Sequence, residues 1–134
     1  MKSSTTKTTL TMAALLFVVF GIQSLQATTN VDIDVKQAQT LNIQGALLLD
    51  VREPAEYSEV HAVNATLIPL GQLNARLDEI AAYKDKPIAV MCHSGKRSAK
   101  AVHLLQEAGY SQISNVTGGI VAWEKAELNV VRAK

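Results

Sequence analysis

The sequence predicts an α/β domain in which a parallel sheet is covered by helices on both faces. Two observations carry this. Short, continuous apolar runs alternate with segments of helical periodicity, and each run stops at polar or turn-forming residues. A strand that is apolar throughout, rather than at every second residue, is buried on both faces, and strands separated by helices pair in parallel.

In chain order the elements are these. Val31 to Ile33 is a weak strand candidate, and Ala46 to Val51 is a strong one, closed by Asp50, Arg52 and Pro54. Thr66 to Ile68 is again weak. From about Gly71 to Ala82, Leu73, Leu77 and Ile80 share one helical face, with Gln72, Arg76 and Glu79 opposite. Pro87 to Met91 is the second strong strand. After a polar loop, Ser98 can cap a helix that runs to about Ala108, where Gly109 ends it. Its buried stripe is Ala101, Val102, Leu105 and Ala108, while Lys100, His103 and Glu107 face water. Ile113 to Val116 is the third strong strand; Gly118-Gly119 then makes a turn into a short helix, with Trp123 in the core or a pocket wall.

The N-terminus is organised differently. Lys2 and Lys7 stand in a Ser/Thr-rich start without acids, the uncharged segment Met12 to Ile22 follows, and small residues end at Ala27. The apolar core falls short of the roughly 18 residues of a membrane-spanning helix, so residues 1–27 read as a secretory signal peptide and residues 28–134 as one exported domain. The expected location is the periplasm, with no stable membrane insertion after cleavage. The whole chain carries 13 Lys and Arg against 12 Asp and Glu, and loss of the leader removes two lysines, so no basic stripe remains for nucleic acid. Without an evident exposed apolar stripe, a monomer is expected.

Cys92 is the only cysteine, so no intramolecular disulfide and no Cys-x-x-Cys chemistry is available. It follows the strand Pro87 to Met91, at the carboxyl end where ligands bind in such sheets. His93, Ser94, Gly95, Lys96 and Arg97 would curl around the sulfur, with Gly95 allowing the turn. Successive loop N–H groups and the first N–H groups of the helix then converge on one anion-sized space. With Lys96 and Arg97 beside it, the thiolate is favoured and the pKa of Cys92 should fall below that of a free cysteine. This is the setting of a reactive thiol.

These residues resemble a known family. "LLLDVREPAEYSEVHAVNATLIPL", "CHSGKRS" with "LLQEAGY", and "VTGGIVAW" are similar, in order, to the signatures of a single-domain rhodanese, and with the leader the chain resembles the small periplasmic phage-shock type. The resemblance implies a central five-stranded parallel sheet, a sulfurtransferase activity and a catalytic cysteine, Cys92, heading a six-residue loop to Arg97. It implies a small anionic sulfur donor such as thiosulfate, a thiol or cyanide acceptor, a Cys92 persulfide between them, and no cofactor or metal. Arg97, Lys96, Gly95, Ser94, His93 and Ser98 would bind substrate, Arg97 most directly through its planar fork. Asp50 and Arg52 would form a supporting ion pair near the site. Four positions depart from the family pattern: Val60 precedes His61 where glycine is common, Val63-Asn64 replaces Pro-Gly, and Glu127 stands where glycine is usual.

Two other functions share the loop chemistry. A cysteine phosphatase also holds an anion beside a thiolate, but its signature places five residues between Cys and Arg, and here there are four. A binding module of the same fold would hold an anion or a partner without turnover. His61 is expected to order a turn and His103 to face water, with no ligand set for a metal.

Overall fold

The computed structural model describes residues 29–134. The expected leader, residues 1–27, lies outside the described residues.

Five strands form one parallel sheet: β1 (Thr29–Ile33), β2 (Leu47–Asp50), β4 (Thr66–Leu67), β5 (Ile88–Met91) and β6 (Gln112–Val116), in the order β1-β6-β5-β2-β4. The two strands whose residues are buried throughout, β2 and β5, stand side by side near the centre, with Leu49 opposite Val90 and Asp50 opposite Met91. Alternation divides their side chains between two cores. Leu47, Leu49, Ile88, Val90 and Cys92 point to one face; Leu48, Ala89 and Met91 point to the other. A strand between two cores is apolar wherever no internal partner is at hand, which is why these runs are continuous in the sequence; the one polar residue, Asp50, is paired with Arg52.

The first core is closed by α3 (Lys96–Glu107), through Ala101, Val102 and Leu105, and by the segment around Leu73 and Ile80. The second is closed by α1 (Val35–Ile43) and α4 (Gly119–Lys125), which supply Val35, Ala38, Ile120 and Trp123. Helices therefore cover both faces, as expected. Trp123 is a core residue whose indole N–H donates to the Asn129 carbonyl at 3.1 Å.

Two expectations need correction. The stretch read as one helix from Gly71 to Ala82 is a pair of 3-10 segments, Leu70–Gln72 and Asn74–Tyr83, and Arg76 breaks the second at φ −120°, ψ 18°. Its apolar spacing still buries Leu73 and Ile80, because spacing of three to four residues serves either helix type. The second concerns Ser98. It does not cap a helix beginning at its own position; α3 starts at Lys96 after Gly95, and Ser98 lies fully buried in its first turn.

Three elements complete the frame. α1 opens with Asp34 and Gln37 exchanging backbone and side-chain hydrogen bonds at 2.8 and 2.9 Å. α2 (Pro54–Glu59) begins with proline, whose missing N–H costs nothing in a first turn. β3 (Val60–Ala62) pairs antiparallel with β7 (Val130–Arg132), so the C-terminal segment straps the turn that follows α2. The departures from the family pattern fit this frame: Val60 is buried, and Asn64 and Glu127 take the left-handed conformation, φ 64° and 57°, that glycine adopts at less cost.

Strand order sets the site. After β2 the chain moves outward to β4, whereas after β5 it moves the opposite way to β6. The loops leaving β2 and β5 thus diverge and open a crevice at their carboxyl ends, the switch point at which such sheets bind ligands. Arg52 follows β2 there and Cys92 follows β5.

Candidate active site

Gly95 shapes the cysteine loop. At φ 110° it reverses the chain between Cys92 and the first turn of α3, and its N–H donates to the Cys92 sulfur at 3.1 Å. The Ser98 hydroxyl, turned inward from that first turn, lies 3.4 Å from the sulfur. Cys92 is 1 % exposed, and this burial alone would raise its pKa. Opposing it are the Ser98 hydroxyl and the backbone N–H groups of Ser98, Gly95 and Ser94, and together they win: the thiol is held below the ordinary cysteine range. Ser94, Gly95 and Ser98 are thus gathered on the sulfur as the sequence predicted, Ser98 by its side chain as well as its backbone.

The nest is held from behind. The N–H groups of Ile120 and Val121, at the start of α4, donate to the carbonyls of Cys92 and His93 at 2.9 and 3.3 Å. With those carbonyls drawn toward α4, the loop's N–H groups are free to face the sulfur. This approach demands glycine at 119: a Cβ there would lie 2.2 Å from the Cys92 carbonyl oxygen and 2.6 Å from that of His93. Sequence reading took Gly118-Gly119 for a turn and missed this contact. The only local signal was the glycine pair itself.

Arg52 is buried and forms the ion pair with Asp50 that the sequence suggests, with Nε and Nη2 donating to the carboxylate at 2.7–3.1 Å. Nη2 also donates to the Val60 carbonyl at 2.8 Å, so this pair ties the end of β2 to β3.

Arg97 is placed differently from the expectation of an open anion-binding fork. Its Nη1 and Nη2 donate to the two carboxylate oxygens of Glu56, both at 2.7 Å, across 41 residues of sequence. Glu56 was not singled out in the sequence, since nothing local announces a partner so far along the chain. Hydrogen bonds from Arg97 hold its carboxyl at about 2, against burial and with help from the Glu53 N–H, which donates to Oε2 at 3.0 Å. Arg97 in turn is held protonated by the Glu56 hydrogen bonds, against burial, with the charges of Glu56 and Cys92 contributing. Lys96 is exposed at the start of α3.

Beside the loop is a cleft of about 240 Å³, walled by Arg52, Glu56, Glu59, Val60, His93, Ile120 and Glu124. His93 is exposed and lines this cleft. His61 lies apart: its ring stacks on Tyr57 at 3.8 Å and its Nδ1 is 2.7 Å from the Tyr57 carbonyl oxygen, which orders the turn after α2. His103 is exposed on α3. Among the described residues no three of His, Cys, Asp and Glu are placed to hold a metal ion, and no helix is long and apolar enough to cross a membrane.

Such an arrangement can stabilise a thiolate and the anion that it attacks or becomes. The family profile described as "Rhodanese-like domain" matches residues 34–126. The chain is 37% identical over 107 residues to the uncharacterised protein slr1261 of Synechocystis, a match that covers 79% of this chain and 59% of that relative, less than two thirds of its length. It is 35% identical over 99 residues to the thiosulfate sulfurtransferase GlpE of Vibrio cholerae, covering 73% of this chain and 92% of that one. Among solved structures, the rhodanese-related protein of Thermoplasma volcanium superposes with a TM-score of 0.67 at 34% identity, over 75% of this chain and 97% of that chain. With the five-stranded sheet and the cysteine loop in place, these matches lead to one conclusion: the chain belongs to the rhodanese-like sulfurtransferase family.

Proposed function

We propose that the protein is a periplasmic thiosulfate sulfurtransferase that carries sulfane sulfur on Cys92. The observation that supports this best is the convergence of the Ser94, Gly95 and Ser98 N–H groups and the Ser98 hydroxyl on one depressed thiol at the end of β5. The thiolate attacks the outer sulfur of thiosulfate; the S–S bond breaks with its electron pair going to sulfite, and Cys92 is left as a persulfide anion. A thiol or cyanide then takes the outer sulfur and returns the Cys92 thiolate. In both steps the charge stays beside the same N–H donors, which need not reorganise as it moves from sulfur to sulfur.

Residues 1–27 export the domain in this reading, and Lys96 is the exposed cation that meets an incoming anion. The activity test is intact-mass measurement after incubation with thiosulfate. The protein should gain the mass of one sulfur atom, lose it on adding cyanide, and gain nothing as Cys92→Ser. Turnover by the serine variant would overturn the persulfide route. Phosphate release from an aryl phosphate, with no sulfur uptake, would favour the phosphatase alternative. For export, the secreted protein should begin near Thr28; an intact leader on periplasmic protein would overturn the processing.

A further inference from the structure

Bidentate closure of the Arg97 fork by Glu56 has a consequence for the choice of donor. A guanidinium meets a sulfonate as it meets a carboxylate, through two parallel N–H groups. Glu56 takes one N–H from each terminal nitrogen of Arg97 at 2.7 Å, which fills the end-on fork and leaves the outer N–H groups and Nε–H. Glu56 is held in place by its own helix through the Glu53 N–H, so it competes with an incoming donor as a tethered group whose effective concentration is at least millimolar. Both side chains are about a third exposed, 34 % and 33 %, so solutes can reach the pair. The cleft beside it is lined also by Arg52, by Glu59 and by Glu124, which pairs with Arg132. Of the two cations visible in the loop sequence, Arg97 is thus paired with Glu56 and Lys96 stays exposed.

We propose that Glu56 is a specificity-determining residue that occupies the end-on Arg97 fork against sulfonate-bearing donors, so that the site prefers sulfane sulfur carried on an organic persulfide, which has no sulfonate to seat and reacts as R–S–SH. This rests on the sulfur transfer proposed above and names its donor class. The Cys92 thiolate attacks the outer sulfur of R–S–SH, the S–S bond breaks with its electron pair leaving on the thiolate R–S⁻, and the proton stays with the protein persulfide. That leaving group needs no guanidinium fork. Thiosulfate, whose sulfonate fits that same end-on fork, competes with Glu56 for it.

The test is steady-state transfer to cyanide from two donors, thiosulfate and the persulfide of 2-mercaptoethanol, with sulfur loading checked by intact mass. Three proteins are compared: wild type, Glu56→Gln and Arg97→Ala. Gln keeps an acceptor for the Glu53 N–H but removes the charge, so Glu56→Gln should lower KM for thiosulfate about tenfold, with kcat little changed, and leave the persulfide parameters within about twofold. Arg97→Ala leaves Glu56 unneutralised and should raise the thiosulfate KM. Opposite signs are the signature, since a bridge that only braces the fold would make both variants worse with both donors. An unchanged or raised thiosulfate KM in Glu56→Gln, or an equal shift for the two donors, overturns the assignment of Glu56 alone. Failure of wild type to load sulfur from either donor overturns the transfer reading, and this assignment with it.

Discussion

Asp50–Arg52 and Glu56–Arg97 are the same chemistry in two settings. Each joins an arginine to a carboxylate by two or more hydrogen bonds, and both flank the crevice between β2 and β5. Their exposure divides them: 2 % and 0 % for the first pair, 34 % and 33 % for the second. In the buried pair both carboxylate oxygens are engaged, since Asp50 also takes the Arg52 backbone N–H at 3.1 Å, and Arg52 donates further to the carbonyls of Val60 at 2.8 Å and Glu56 at 3.5 Å. Nothing there can exchange. At the cleft mouth, water and ligands can reach both partners, so that pair can open. A buried ion pair fixes geometry, whereas a half-exposed one can select what binds.

The sharpest way to test this contrast is to remove one partner of the buried pair. Arg52→Ala strands the Asp50 charge in the core and leaves the Val60 carbonyl without its donor, and should cost about 3–5 kcal/mol of stability. Denaturant unfolding would measure it. If the loss is below about 1 kcal/mol, burial does not separate the two pairs and the contrast fails.

Next in size is the loop that lies between them. Gly119→Ala would place a methyl 2.2 Å from the Cys92 carbonyl oxygen, so the loop or α4 has to move. A displacement of ~1 Å at the nest should lower kcat/KM for sulfur loading by about 100-fold. Unfolding measured beside the kinetics separates a shifted loop from a lost fold. Retention of full loading rate would mean that the contact between α4 and the loop does not hold the nest.

A smaller effect is expected from Ser98→Ala, which removes the hydroxyl facing the sulfur but keeps the backbone donors of Ser94, Gly95 and Ser98. With burial unchanged and one opposing donor gone, the thiol pKa should rise, and the pH profile of Cys92 alkylation should move to higher pH. An unmoved profile would assign the low pKa to the backbone alone.

What the sequence disclosed follows the range of each interaction. β2 and β5 were legible because a strand between two cores is apolar at successive positions, Leu47 to Leu49 in β2 and Ile88 to Met91 in β5. Cys92, Ser94, Gly95 and Ser98 were legible as a site because one turn of chain brings them together. α1 was not, since it buries only Val35 and Ala38; the spacing of Asp34 and Gln37 was its one signal. β3 and β7 are three residues each and meet only through the tertiary fold. The same limit hid Glu56 and gave Arg97 the appearance of a free cation: a charge is read from its own position, but its neutralisation depends on a partner 41 residues away.

Acid should produce the smallest effect and the finest division between the pairs. Hydrogen bonds from Arg97 hold the folded Glu56 carboxyl at about 2, below its ordinary 4.5, although burial pulls the other way. Between these values the unfolded chain binds the proton and the folded chain does not. The stabilisation is therefore fully present above about pH 4.5 and is lost as pH falls toward 2. Since both partners are about a third exposed, solvent screening limits its size to no more than ~1 kcal/mol. Other carboxylates titrate in the same range, so the useful quantity is the difference between wild type and Glu56→Gln, measured by denaturant unfolding at intervals from pH 6 to pH 2. That difference should be small at pH 6 and close to zero at pH 2. A difference of several kcal/mol at pH 6 would make Glu56–Arg97 a structural bridge like its buried counterpart, and a pair that costly to open could not yield its fork to a donor.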